Sequence, residues 1–263
     1  MTRPSVPAAA LLLALCCACA PNQASAPQAS RDARQGEARG QASPSTTVWQ
    51  VSPFALLVRG HFDGVVTAGE VRRHGDMGVG AADALDGEIA FVDGSVYQFM
   101  PGGRVQRPDP SLRIPFAIVT EWTGGASLRL PAGLQYAAPL LPDVDARLPT
   151  TNAFYALRLT GTWSVVRART FRKQDRPYPP LGPAMADTFT FTNVQGTMVG
   201  FREPSYVDSL SVPDYHLHFV TADGTRGGHV NGFTARDVLL QYSERPHFTL
   251  HMPPGAAASG SPR

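Results

Sequence analysis

Tyr215-His216-Leu217-His218-Phe219-Val220, followed shortly by Asp223-Gly224-Thr225-Arg226-Gly227-Gly228-His229, holds three of the seven histidines of the chain. From Val212 to Val220 polar and apolar residues alternate and Tyr, Phe and Val recur, so this run reads as a strand. Side chains on a strand alternate faces, which places His216 and His218 on one face and Leu217 on the other. Asp223-Gly224 is a two-residue hairpin signal. With that turn Ala222 pairs with Thr225, and counting outward His218 falls opposite His229. Cross-strand partners share a face, with Cβ atoms roughly 5 Å apart. Three imidazoles then converge, the ligand set of a catalytic zinc site that keeps one position open for water or substrate. Gly227-Gly228 either holds a bulge that shifts this register or keeps space clear beside the metal. Two histidines at alternate strand positions are ordinarily surface residues; the third, at the paired position, tips the balance toward a metal site.

Outward from this hairpin, composition sets the frame. The 263 residues are 43% hydrophobic and 17% charged, enough for a substantial core in one large domain or two small ones. A formal net charge of +2 and scattered basic residues argue against nucleic acid as a partner. At the N-terminus, Arg3 precedes an apolar run from Ala8 to Leu15 that is too short to span a bilayer, the pattern of a signal peptide. Leu15-Cys16-Cys17-Ala18-Cys19 resembles a bacterial lipoprotein signal, with Cys19 as the lipidated residue. Ala18-Cys19-Ala20 would also suit ordinary signal peptidase, but Pro21 is unfavourable there. Residues 1–19 are therefore expected to direct export to the periplasm or cell envelope, with a lipid anchor at Cys19 as the contact with a membrane. No cysteine pair remains for an internal disulfide. Residues 20–47, rich in Ala, Gln, Ser and Gly, read as a disordered tether, and residues 254–263 as a disordered tail.

The folded region divides on its sequence into an N-terminal half, 48–150, and a C-terminal half, 151–253, that carries the histidines. The Pro-rich stretch from Leu128 to Asp145 and Leu148-Pro149-Thr150-Thr151-Asn152 mark the boundary. Thr67, with Glu70 three residues on, predicts a short helix before a glycine-rich loop, His74 to Gly80. That loop has no Lys-Ser/Thr, so it does not read as a phosphate cradle. Asp86-Gly87 and Asp93-Gly94 are turn pairs that bracket short strands, with Glu88 opening the first of them. On this pattern alone an edge or solvent-facing Glu88 weighs as much as a functional one. Pro115 to Trp122 is a further strand. Phe154 to Thr170 reads as two strands around a turn at Thr160-Gly161, with Arg167 and Arg169 on one face as an ordinary solvent-facing pair. Val194 to Phe201 and Arg236 to Leu250 supply the remaining strands. His247 and His251 are four apart, a metal spacing only on a helix, and Pro246 and Thr249 argue against one. They are expected to be structural.

Taken in order, His74-Gly75-Asp76-Met77-Gly78-Val79-Gly80, Leu85-Asp86-Gly87-Glu88, Pro115-Phe116-Ala117, Arg169-Thr170 with Gln174 and Pro177-Tyr178, Gly200-Phe201-Arg202, Tyr215-His216-Leu217-His218-Phe219 and Gly227-Gly228-His229 resemble the motifs of alpha-acetolactate decarboxylases, from about Val48 to Pro253. The resemblance implies a β-rich, two-part α/β fold of mixed and antiparallel sheets with few helices, and a homodimer. It implies Zn2+ held by His216, His218 and His229, with Glu88 and Arg169 as catalytic residues. The activity it implies is zinc-dependent decarboxylation of 2-acetolactate to acetoin. Zinc would act as a Lewis acid at the ketone, Arg169 would orient the carboxylate and Glu88 would handle the proton. The chain departs from the family pattern at Ala81-Ala82 and at Glu121-Trp122, and Ala256-Ala257-Ala258 stands where some members carry a glutamate. Two other readings stay open at this point. One is a zinc-binding envelope lipoprotein without turnover; the other is a decarboxylase of a related 2-hydroxy-3-keto acid such as acetohydroxybutyrate.

Overall fold

A computed structural model describes residues 46–138 and 141–254. The expected signal segment with Cys19, nearly all of the expected tether and the expected tail from residue 255 lie outside the described residues. Short β-branched and aromatic runs between turns build the first part: β1 (Thr47–Val51), β2 (Val66–Thr67), β3 (Met77–Ala81), β4 (Glu88–Val92), β5 (Ser95–Met100), β6 (Arg104–Gln106), β7 (Arg113–Ile114) and β8 (Phe116–Thr120). Three short helices, α1 (Phe54–Val58), α2 (Ala68–Val71) and α3 (Pro142–Asp145), are the α-helical content of the described residues. The second part is β9 (Ala126–Leu130), β10 (Gln135–Ala137), β11 (Phe154–Phe171), β12 (Ala186–Glu203), β13 (Asp214–Thr221) and β14 (Gly227–Arg245). The chain then returns to the first sheet as β15 (His247–His251). β1 begins at Thr47, the last residue of the expected tether.

The first sheet runs β15-β1-β8-β3-β4-β5-β6, antiparallel except for the parallel pair β1–β15. Several local expectations hold here. The Thr67 hydroxyl accepts the Glu70 N–H at 3.1 Å and starts α2. Asp93 and Gly94 both take positive φ, 49° and 71°, and join β4 to β5 in the two-residue turn that their sequence favours. The glycine-rich loop is different, because Met77 to Ala81 is a central strand between β4 and β8. Its glycines serve close approach: a Cβ at Gly78 would stand 2.1 Å from the Ile118 carbonyl oxygen.

In the second sheet β14, β11, β12 and β13 pair in sequence, and β13 pairs back to β14, so the path closes on itself. Closure leaves an interior filled by Trp163, Phe219, Phe233, Tyr136, Leu217 and Met198, all essentially inaccessible. Each such side chain stabilises the fold by roughly 1.5–3 kcal/mol through burial. The two sheets meet through Met77, Val79, Ala90 and Ile118 on one side and Ala156, Val199, Phe201 and Val220 on the other. The far face of the first sheet, with Ile89, Phe91, Ala117 and Val119, is covered by Val66, Ala68, Val71 and Ile114 from β2, α2 and β7.

The turn expected at Thr160-Gly161 is absent, and β11 runs unbroken for 18 residues between β12 and β14. Gly161 has φ 149°, and a Cβ there would lie 2.0 Å from the Asp237 carbonyl oxygen on β14. The glycine permits close approach of the paired strand β14, a need that resembles a turn in sequence. At the other end of the sheet Pro246, which has no N–H to donate, separates β14 from β15. His251 on β15 lies against Trp49, with ring centroids 5.8 Å apart.

Candidate active site

His216 and His218 project from β13, and the β13–β14 register places His218 opposite His229. The connection is wider than the two-residue turn expected from sequence. Ala222 does not pair with Thr225; its N–H donates to the Gln195 carbonyl at 2.9 Å, and pairing resumes where the Thr221 N–H meets the Arg226 carbonyl, also at 2.9 Å. Asp223 takes no positive φ, and its carboxylate instead accepts the hydroxyls of Thr221 and Thr225 and the Thr225 N–H. Because the loop widens by one residue on each arm, the register is unchanged. Pairing is continuous from His218/His229 to Val220/Gly227, so Gly227-Gly228 holds no bulge. Neither do these glycines clear space for a metal: a Cβ would come within 2.4 Å of the Phe99 ring at Gly227 and 2.8 Å of the Phe189 ring at Gly228. The irregularities lie in the β11–β14 pairing instead, the one nearest the histidines falling between Gly232, paired with Arg167, and Val230, paired with Ala168. Beyond it Arg169 pairs with His229, whereas Arg167 stays exposed.

The three rings form a near-equilateral cluster, with centroids 5.1–5.2 Å apart, and one nitrogen from each lies within 4.8 Å of the others. The His218 Nδ1–H donates to the Ile89 carbonyl at 2.8 Å, which leaves Nε2 as the lone-pair nitrogen facing His229 Nδ1 at 3.2 Å. His216 Nδ1 is buried without a partner. Burial, and after it the Arg169 charge, holds His216 down to about 3, and burial keeps His218 and His229 well below the usual imidazole range. All three are therefore neutral at physiological pH, the form that binds a divalent ion. Converging neutral imidazoles, one oriented by a backbone carbonyl, suit such an ion.

Glu88 opens β4, inside the sheet between β3 and β5, and is 4% exposed. The edge position is thereby excluded. Its Oε1 accepts from Arg169 Nη1 at 3.0 Å and lies 3.4 Å from His229 Nδ1, while Oε2 is buried without a partner. Burial pushes the carboxyl up to about 7, against the opposing pull of Arg169. Arg169 also lies over the Phe171 ring, 4.5 Å from its centroid. Glu88, Arg169, His216 and His229 open into one cavity of about 420 Å³, part of it continuous with solvent. Its apolar wall comes from Phe54 and Leu57 of α1, Phe116, Leu181 and Val212. Apart from Phe116, which stands in one of the quoted motifs, nothing in the sequence marked these residues, because ordinary core positions carry the same residue types. Ala81, one of the departures from the family pattern, lines the cavity too. The first two amides of α1, Phe54 and Ala55, donate to the carbonyls of Leu210 and Ser209 at 2.9 Å, and the Leu181 N–H donates to Val58 at 3.0 Å.

Near Val212, Glu203 is fully buried with neither carboxylate oxygen hydrogen-bonded. Burial pushes it up to about 8, opposed less strongly by the nearby Ser211 hydroxyl and Val212 N–H. Between its ordinary value of 4.5 and about pH 8, the unfolded chain has lost this proton and the folded chain keeps it. Stability therefore falls as pH rises through that window and levels off above it. Glu203→Gln is expected to exceed the parent in stability by a few kcal/mol at pH 8.5 and to match it at pH 4.5. Urea unfolding at the two pH values checks this; an equal difference at both would contradict it.

Three imidazoles, a buried acid and an arginine between two packed sheets form the kind of site that enzymes use for metal-assisted proton transfer. The family model for alpha-acetolactate decarboxylase matches residues 48–258, and the chain belongs to that family. An alpha-acetolactate decarboxylase of Methanosarcina mazei is 39% identical over 188 residues, covering 71% of this chain and 65% of that protein. One of Brevibacillus brevis is 35% identical over 230 residues, covering 87% of this chain and 80% of the relative. The crystal structure of alpha-acetolactate decarboxylase from Bacillus subtilis strain 168 superimposes with a TM-score of 0.75 at 31% identity, covering 80% of this chain and 90% of that one. The β-rich architecture with few helices is common to both.

Proposed function

We propose that this protein decarboxylates 2-acetolactate to acetoin and carbon dioxide, with Zn2+ as its metal. The observation that carries this reading is the contact of Glu88 with Arg169 in one cavity beside a cluster of three neutral imidazoles, two of which line it. His216, His218 and His229 would hold the ion, which when bound supplies Lewis acidity toward the ketone that must accept the electron pair of the broken carbon–carbon bond. Arg169 presents a planar guanidinium to the substrate carboxylate and fixes which bond breaks. Carbon dioxide leaves without the electron pair, so the carbon it leaves must gain one proton to give acetoin. Glu88, with a proton affinity near neutrality, can take a proton from the substrate hydroxyl and return one to carbon, with solvent supplying the one proton that the reaction consumes overall. Phe54, Leu57, Phe116 and Val212 give the cavity an apolar wall that would suit the two methyl groups of this small substrate. The leader sequence and Cys19 support an exported, lipid-anchored protein of the periplasm or cell envelope, and we propose a homodimer in keeping with the family.

The test is acetoin formation from racemic acetolactate by the purified protein, with metal content measured before and after chelation. Turnover that falls on chelation and returns with Zn2+ supports the proposal. A folded, zinc-loaded protein that forms no acetoin would overturn it. Parallel assay of acetohydroxybutyrate identifies the preferred acid.

A further inference from the structure

Thr170 is completely buried on β11, next to Arg169, and its hydroxyl is bonded on both sides. It accepts the Glu88 N–H at 3.1 Å and donates to the Phe99 carbonyl at 2.7 Å. Glu88 and Phe99 are themselves the last partners in the β4–β5 ladder. A side chain from the second sheet thus bridges the end of a ladder in the first. That end carries the carboxylate that Arg169 holds at 3.0 Å. One strand, β11, therefore fixes Glu88 twice, Arg169 by its carboxylate and Thr170 by its backbone.

From this arrangement we infer that Thr170 is a positioning residue for Glu88: its hydroxyl sets where the first residue of β4 sits relative to Arg169 and the imidazole cluster. The hydroxyl bonds neither the carboxylate nor any histidine, so it acts on Glu88 through the main chain of Glu88 and of its ladder partner Phe99. A valine here would keep the shape but leave the Glu88 N–H and the Phe99 carbonyl without that partner in a buried place. The carboxylate would then be free to shift, and small displacements of a catalytic group are costly in rate. Serine would keep the bridge. This inference rests on the proposed role of Glu88, and the experiment separates the two.

The comparison is of the parent with Thr170→Val and Thr170→Ser, each first verified as folded by circular dichroism and for equal zinc content. Thr170→Val is expected to lower kcat about 10- to 100-fold with KM changed less than about threefold. Thr170→Ser should recover most of that loss. Independently of turnover, the Glu88 amide should exchange with solvent at least about tenfold faster in Thr170→Val than in the parent, read by NMR on the zinc-loaded protein. An inactive parent would sink the decarboxylase reading, and the amide exchange would still decide the bridge. Parent-like kcat in Thr170→Val, a serine variant as impaired as the valine one, or unchanged exchange at Glu88 would overturn the positioning role. So would loss of zinc and of thermal stability in proportion to activity, which would make Thr170 merely structural.

Discussion

Glu88→Gln is expected to lower kcat by about 10²–10⁴-fold while zinc stays bound. Glutamine keeps the volume and accepts a hydrogen bond from Arg169, so the cavity and the three imidazoles are preserved. It cannot carry a proton to or from substrate. The magnitude follows from what a positioned acid–base group supplies, and the raised proton affinity of Glu88 makes it suited to that work near neutrality. Burial is the cause, since the carboxyl lies between two sheets with one oxygen unpartnered. The parent should therefore show a titration in kcat that the glutamine variant lacks. Steady-state kinetics from pH 5 to 9, with zinc measured by mass spectrometry, decides the matter. A variant within threefold of the parent would remove Glu88 from the mechanism.

His218→Ala is expected to abolish detectable turnover, a loss of at least about 10³-fold, and to leave the purified protein largely free of zinc. Two effects add at this position. One of three imidazole donors disappears, and the Ile89 carbonyl loses the N–H that it accepts at 2.8 Å in a fully buried place. His218 lies beneath the cavity, whereas His216 and His229 also line it. Its removal therefore reads out metal holding with little direct change to the substrate wall. Zinc titration of the apo protein, alongside activity with added metal, is the measurement. Parent-like affinity for zinc would show that the ion, if any, is held elsewhere.

Much of the site was legible in the chain because strand geometry is local. Alternation puts His216 and His218 on one face, and any hairpin that adds equally to both arms keeps His218 opposite His229. That is why the register survived a turn of different construction. The capping of α2 by Thr67 and the Asp93-Gly94 turn are local in the same sense. Glycine was the misleading residue. At Gly161 and in β3 it answers the approach of a neighbouring strand, a need that sequence alone does not distinguish from a turn.

The sequence by itself determined the register of the imidazole hairpin, the short strands and the Asp93-Gly94 turn, since each depends on residues a few positions apart. Only the tertiary structure decided what surrounds that hairpin. Glu88 and Arg169 lie 81 residues apart on different sheets, and their contact exists only because the sheets pack face to face. The same packing sets the burial that raises the affinity of Glu88 for a proton and lowers that of the histidines. The apolar wall from α1, Leu181 and Val212 is likewise a product of long-range backbone contacts. Burial and cross-sheet distance are properties of the assembled layers, and no pattern within one strand encodes them.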